Sequence, residues 1–287
     1  MRIAILAAMD LEVTPIKKKI LVEREYHQKR LSFYWGEYAG QKIVLVKSGI
    51  GKKNSYKALE ELNRLEDVVC VINIGLAGGI NPKLKIGSLV IPKIIRDNLF
   101  PNSHCEVDQL LLGKVNSATQ PSFSETNMFF QNTKGNENLV SSSIFNNEER
   151  RTKNQERVFS NEIIFDAELI TTNNICSYKE KKEILQAYPK VVAVDMESFH
   201  IVYWCNKNNV PFICFRAISD TLKFKFPSFD LLANLVKERY SMFDYFYLIK
   251  KMFYMPLELF TALSLRRNCL IAARNVEGFL RDYLREF

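Results

Sequence analysis

The stretch IVLVKSGIGKKNSYKALEEL, running from Ile43 to Leu62, carries the pattern that decides the fold. Its first four residues, Ile43 to Val46, form an apolar run too short for a core helix and closed by a turn signal, which reads as a buried strand. The glycine turn Ser48-Gly-Ile-Gly-Lys52 follows, and from Ser55 to Leu65 apolar residues recur at helical spacing. Comparable apolar runs stand at Ile3 to Ala7, Val68 to Ile74, Ser88 to Ile91, Val191 to Val194 and Phe212 to Phe215, and helical patterns at Lys179 to Ala187 and Ser198 to Asn206. This alternation predicts an α/β fold: a three-layer α/β/α arrangement with a central mixed, largely parallel sheet covered on both faces. Functional loops then gather at the carboxyl ends of the strands.

Two regions depart from the alternation. Residues from about 116 to 161 are rich in Asn, Ser, Gln and charge, with few paired apolar positions, and read as a mobile, low-complexity insertion. After Leu231, aromatic and basic residues alternate (Phe243, Phe246, Tyr247, Lys250, Lys251, Phe253 and Tyr254, then Arg266, Arg267, Arg274 and Arg281). Ala273, Val276, Leu280, Tyr283 and Phe287 fall at helical spacing, and Pro256 is placed to separate two helices. The chain therefore divides into a domain over residues 1–230, containing the insertion, and an amphipathic, basic helical tail over residues 231–287.

With 287 residues, 47% hydrophobic and 25% charged, the chain can bury a full core. No run of about 18 uncharged apolar residues occurs, so no membrane span is expected. The run from Ile3 to Met9 is closed by Asp10 and reads as a first strand rather than a secretory signal, with the fold starting at Met1. Six scattered cysteines without a CxxC pair suit reduced core thiols of a cytoplasmic protein, and His27, His104 and His200 stand too far apart to suggest a metal site. The net charge of +8 names no partner, and its interleaving with acids, without a groove-reading or base-stacking motif, argues against nucleic acid.

The residues able to carry chemistry cluster at strand ends. Backbone N–H groups around Gly49 and Gly51, with Lys52 beside them, could hold a phosphate or a polar sugar group, although two glycines before a helix are more often a tight turn. A second glycine loop, Gly75-Leu76-Ala77-Gly78-Gly79, follows the strand Val68 to Ile74; small residues there let a flat ligand touch backbone, and the plainer reading is a bend. Three acids each follow an apolar strand: Glu12, Glu197 and Asp220. Any one could be a helix cap or a solvated loop charge, but strand ends of one sheet converge, so three together point to a shared site.

Five stretches in order, Met1-Arg-Ile-Ala-Ile-Leu-Ala-Ala-Met-Asp-Leu-Glu12, Ser48-Gly-Ile-Gly-Lys52, Gly75-Leu-Ala-Gly-Gly79, Val194-Asp-Met-Glu-Ser198 and Arg216-Ala-Ile-Ser-Asp220, resemble the ordered motifs of the methylthioadenosine/S-adenosylhomocysteine nucleosidases and their phosphorylase relatives. The resemblance covers roughly residues 1–100 and 165–225. Within that superfamily the chain is most similar to the hopanoid-associated phosphorylase branch, through Leu76 in the glycine loop, the Asp195-Met-Glu-Ser form of the acidic motif and the basic helical tail. The resemblance implies a nucleoside phosphorylase-like catalytic domain that releases adenine from a nucleoside without a cofactor, in a chain that forms homo-oligomers.

It also implies roles. Breaking a ribosyl–adenine bond leaves positive charge on the sugar and negative charge on the base, so separate groups must answer each. Asp220 would deliver a proton to purine N7, its proton resupplied by neighbours such as Ser219. Glu197 would stay ionised and grip the ribose hydroxyls, with Met196 packed on the sugar; Glu12 would be general base toward water, with Arg216 orienting the nucleophile. Gly75, Leu76, Ala77 and Gly78 would line the substrate, and adenine would sit near Thr171 to Cys176. Glu12 favours water as nucleophile, whereas Lys52 and Arg216 could serve phosphate. The expected substrate is adenosylhopane, its lipid reached by the tail lying on anionic headgroups, unless the tail aromatics pack on the core or a partner subunit. The alternatives are a methylthioadenosine/S-adenosylhomocysteine nucleosidase and a non-catalytic nucleoside-binding protein.

Overall fold

Each apolar run expected as a strand is one, and its alternate residues feed two separate cores. In β1 (Arg2–Ala7) Ile3, Ile5 and Ala7 face one layer while Ala4 and Leu6 face the other; Ile43 and Leu45 oppose Val44 and Val46 in the same way in β4 (Gln41–Lys47). Strands buried on both faces must lie between helix layers. The structure, a computed structural model, describes residues 1–100, 102–118, 162–226 and 256–287. The expected insertion, beyond 118, and the aromatic stretch Phe243 to Tyr254 lie outside the described residues.

The remaining strands are β2 (Leu21–Gln28), β3 (Leu31–Tyr38), β5 (Val68–Gly79), β6 (Leu89–Asp97), β7 (His104–Glu106), β8 (Ile163–Thr171), β9 (Val191–Asp195) and β10 (Phe212–Asp220). They form one ten-stranded mixed sheet in the order β10-β6-β8-β9-β5-β1-β4-β3-β2, with β7 on β6. The pairings β1–β4, β1–β5, β5–β10, β6–β8 and β8–β9 are parallel. Strand β5 is long enough to pair with β1 and β10 along its length and with β9 at Gly78 and Gly79, so β5, β10, β6, β8 and β9 close into a ring. The ring gathers the carboxyl ends of β5, β8, β9 and β10.

Helices α1 (Asp10–Lys17), α3 (Gln109–Ala118) and α6 (Pro256–Leu284) cover one face; α2 (Lys52–Leu65) and α5 (Ser198–Lys207) cover the other, and α4 (Tyr178–Ala187) packs beside β9. The expected C-terminal helix is present, but its described part does not stand off from the body. Ala272, Val276, Phe279, Leu280 and Tyr283 are buried in the same core as β1 and β10, and Phe279 and Tyr283 meet Phe215 edge-on at 5.0 and 4.9 Å. The apolar residues from Ala272 to Leu284 are thus taken up by the sheet, while Leu257, Phe260, Leu263 and Leu270 of the same helix are exposed. Pro256 is the first described residue of α6. Among the described residues no helix is long and apolar enough to cross a membrane.

One glycine shows how tightly the β2–β3 edge is drawn. A Cβ on Gly36 would fall 2.1 Å from the Leu21 carbonyl oxygen, a backbone atom that cannot step aside. Gly36→Ala is expected to cost about 1–3 kcal/mol of stability, as overpacking does. Urea denaturation measures it, and an unchanged midpoint would show that β2 and β3 do not approach so closely.

Candidate active site

At the centre of the ring lies a buried guanidinium. Arg216, in mid-β10, is 1% exposed, and its Nε and Nη2 donate to Asp195 Oδ2 at 3.0 and 2.8 Å. Nη2 also donates to Ser198 Oγ at 2.7 Å and to Asn73 Oδ1 of β5. Asp195, the last residue of β9, further accepts Thr171 Oγ1 at 2.6 Å on Oδ1 and the Ser198 N–H at 3.0 Å on Oδ2. A charge this deep persists only if paired and fully hydrogen-bonded. The sequence reading gave Arg216 the task of orienting a nucleophile and assigned nothing to Asp195, Asn73 or Ser198; most of the guanidinium is spent tying β5, β9, β10 and α5 together. Nη1 is the edge that faces the acids, since a Cβ on Gly75 would stand 2.9 Å from it and 2.9 Å from Glu12 Oε1.

Glu12 is the third residue of α1, a helix the sequence reading did not expect. Its Oε2 accepts the Ala8 and Met9 N–H groups, both at 2.9 Å, where the positive end of the helix favours a carboxylate. Oε1 reaches across to accept the Leu76 N–H at 2.9 Å. The acid is therefore both cap and site residue. Burial pushes its pKa up, against the opposing pull of Arg216 and the three N–H donors.

Glu197 caps α5 from the β9–α5 turn, and its Oε1 accepts the Gly51 N–H at 2.7 Å. Burial, then repulsion from Asp195 and Glu12, pushes its pKa up despite Arg216. Gly49 and Gly51 adopt φ of 81° and 89°, the left-handed region that suits glycine, and form a tight turn. The Gly51 N–H that could have met a phosphate is directed to Glu197, and Lys52 lies exposed at the start of α2. Met196 is half-buried beside Glu197.

Asp220 ends β10 with both oxygens engaged. Ser219 Oγ donates to Oδ1 at 2.8 Å, as the sequence reading anticipated of a neighbour. Oδ2 takes a partner it did not anticipate, the ammonium of Lys181 on α4, at 2.5 Å. A Cβ on Gly78 would lie 3.0 Å from each of Asp220 Oδ2 and Lys181 Nζ, so only glycine allows this approach.

The three acids converge. Glu12 and Asp220 stand over Gly75 and Gly78 of one strand, and Glu197 is close enough to Glu12 to be repelled by it. From α6, Cys269 closes the group: its thiol, pushed up to about 12 by burial first, feels the charges of both Asp220 and Glu12 and hydrogen-bonds Ser219. Leu76 and Ala77 complete the β5 wall, with Leu76 packed toward the α6 core. The segment Thr171 to Cys176, expected near the base, joins β8 to α4 and opens on a cleft of about 430 Å³ that also includes Asn98 and Leu99. None of the three acids lines that cleft. The buried cluster, where opposite charges stand beside acids of raised pKa, is the candidate site.

The family model described as the phosphorylase superfamily matches residues 2–134 and 139–239. This chain belongs to the phosphorylase superfamily. Among curated relatives, the 5'-methylthioadenosine/S-adenosylhomocysteine nucleosidase of Buchnera aphidicola is 29% identical over 221 residues, 77% of this chain and 78% of that protein. The protein of the same name from Tolumonas auensis is 28% identical, over 79% of this chain and 90% of its own. Among solved structures, the Neisseria meningitidis nucleosidase of that name, in complex with methylthio-immucillin-A, superposes with a TM-score of 0.69 at 20% identity, covering 99% of both chains. The futalosine hydrolase of Helicobacter pylori gives 0.66 at 18% identity, covering 99% of this chain and 97% of that one. At these identities the structural likenesses establish the phosphorylase-superfamily fold alone.

Proposed function

We propose that this chain is a hydrolase that cleaves the N-glycosidic bond of a soluble adenine nucleoside of the 5'-methylthioadenosine or S-adenosylhomocysteine type. The observation that carries the reading is the meeting of Glu12, Glu197 and Asp220 around the end of β5. Asp220 serves the leaving base, Glu197 the ribose hydroxyls and the developing positive charge, and Glu12 the attacking water. Glu197 enters with a raised pKa, and the cationic sugar of the transition state is what favours its ionised form. Leu76 and Met196 offer the sugar apolar contact.

Water is favoured over phosphate for a physical reason. A phosphate needs several cationic or N–H donors, yet Arg216 Nε and Nη2 are bound to Asp195, Asn73 and Ser198, and the Gly51 N–H is bound to Glu197. Between the substrates set out from the sequence, soluble thionucleosides are better supported than adenosylhopane. The curated relatives named above are 5'-methylthioadenosine/S-adenosylhomocysteine nucleosidases, and the C-terminal half of α6 packs on the sheet.

The test is adenine release by the full chain from 5'-methylthioadenosine, S-adenosylhomocysteine and adenosylhopane, with and without phosphate. Fastest release from a thionucleoside, at a rate indifferent to phosphate, is expected. Dependence on phosphate would make it a phosphorylase, preference for the lipid would restore the hopanoid reading, and no release from any of them would leave a binding protein.

A further inference from the structure

The nucleosidase reading gives Asp220 a proton to deliver, but the geometry around it supplies that proton from elsewhere. Both oxygens of Asp220 already accept: Oδ1 from Ser219 at 2.8 Å and Oδ2 from Lys181 at 2.5 Å. A carboxylate ion-paired in this way is an acceptor on each side. The proton nearest to it that can be given up belongs to the Lys181 ammonium. That ammonium is 1% exposed, also donates to the Thr221 carbonyl at 3.4 Å, and sits against Gly78 on the wall of the site.

A stabilising role does not explain the pair. Lys181 shares its helix face with Ile184, which packs with Ile80, Ile170 and Val194, so an apolar side chain there would join that cluster. Buried ion pairs are commonly no better for stability than apolar residues of similar volume. An amine in a dry site is, however, a group that can hold and release a proton.

We propose that Lys181 is the proton source for Asp220, so that the acid serving the leaving base is the Lys181–Asp220 pair. As the C1′–N9 bond breaks, its electron pair goes to the purine. Asp220, a carboxylate with no proton of its own, takes one from Lys181, which becomes a neutral amine, and passes it to purine N7. Water adds to C1′ and its proton passes to Glu12. Exchange with solvent returns a proton to Lys181 and removes the one on Glu12, restoring the starting charges. Lys181 acts through Asp220 and is a positioning and supplying residue rather than one that touches the base.

The inference rests on the nucleosidase reading, and the experiment separates the two. Adenine release by the parent, Lys181→Met, Lys181→Gln and Lys181→Arg is followed from pH 5 to 9. Near pH 8 the Met and Gln variants are expected to lose about 100-fold in kcat, within the range of general acid catalysis. Toward acid pH the ratio of variant to parent should climb about tenfold per pH unit, because protons from solvent then replace the one that Lys181 supplies. Lys181→Arg keeps a cation beside Asp220 but does not release its proton, and should stay as slow. A ratio flat with pH, or rescue by Arg, would make Lys181 structural and overturn the inference. If one variant fails to fold, the others carry the same profile. No release by the parent would overturn the nucleosidase reading instead.

Discussion

Asp195→Ala is expected to remove about 3–5 kcal/mol of folding stability, the cost of stranding a buried charge without its partner. Arg216 is 1% exposed and sends two of its nitrogens to Asp195 Oδ2, and the same carboxylate holds Thr171 Oγ1 and the Ser198 N–H. Truncation takes an acceptor from five donors of β8, α5 and β10 in the middle of the ring: Thr171 Oγ1, the Ser198 N–H and Oγ, and Arg216 Nε and Nη2. Urea denaturation reads the loss. Asp195→Asn, which keeps an acceptor for Thr171 and removes the charge, should fall between Ala and the parent. A loss under about 1 kcal/mol in Asp195→Ala would mean that Arg216 finds another partner, and the network would not be what locks the strand ends together.

Glu12→Gln should lower kcat by about 10²- to 10⁴-fold, the usual worth of a positioned general base. The substitution is close to isosteric and keeps one oxygen to accept the N–H groups at the start of α1, at the cost of the charge and of the acceptor for the Leu76 N–H. The pH profile supplies the sharper reading. Burial raises the Glu12 pKa, and a base works only when ionised, so kcat/KM of the parent should fall as pH drops through a value above the ordinary carboxylate range. That acid limb should vanish with the residue in Glu12→Gln. A parent profile flat down to pH 4, or a Gln variant within threefold of the parent, would place the base elsewhere.

What the sequence made legible follows physical lines. Strands buried on both faces announce themselves as unbroken apolar runs, and β1, β4, β5, β6, β9 and β10 were all readable, as were α2, α4 and α5. The β2–β3 hairpin was not. Strand β2 is nearly all exposed and polar, and its turn uses Lys29 at φ 58° in place of a glycine. Strand β8 is interrupted by Asp166 at φ 54° and by Glu168, buried against Arg96, which break its apolar signal. Helix α1 was hidden by Pro15, a residue that argues against helix and yet stands inside this one.

The three acids were found because each stands where a strand runs out, but their partners were not. Asn73 offered a faint signal, a lone amide inside the otherwise apolar Val68 to Ile74. Lys181 offered a clearer one: it sits three and four residues before Ile184 and Leu185, a charge on the apolar face of α4. A buried cation at helical spacing from core residues was worth asking about. Asp195 was quoted within a motif without a task because its function is exerted on Arg216 rather than on anything a single sequence can display.

The position of Cys269 also bears on the order in which the chain matures. Glu12 leaves the ribosome long before the helix that roofs Asp220 and Ser219. Until residue 269 has emerged, the nascent polypeptide holds its acids beneath an uncovered sheet, with Phe215 still waiting for Phe279 and Tyr283. Contacts between residues so far apart in sequence close late and slowly, so the site should assemble abruptly, once α6 has emerged, rather than strand by strand.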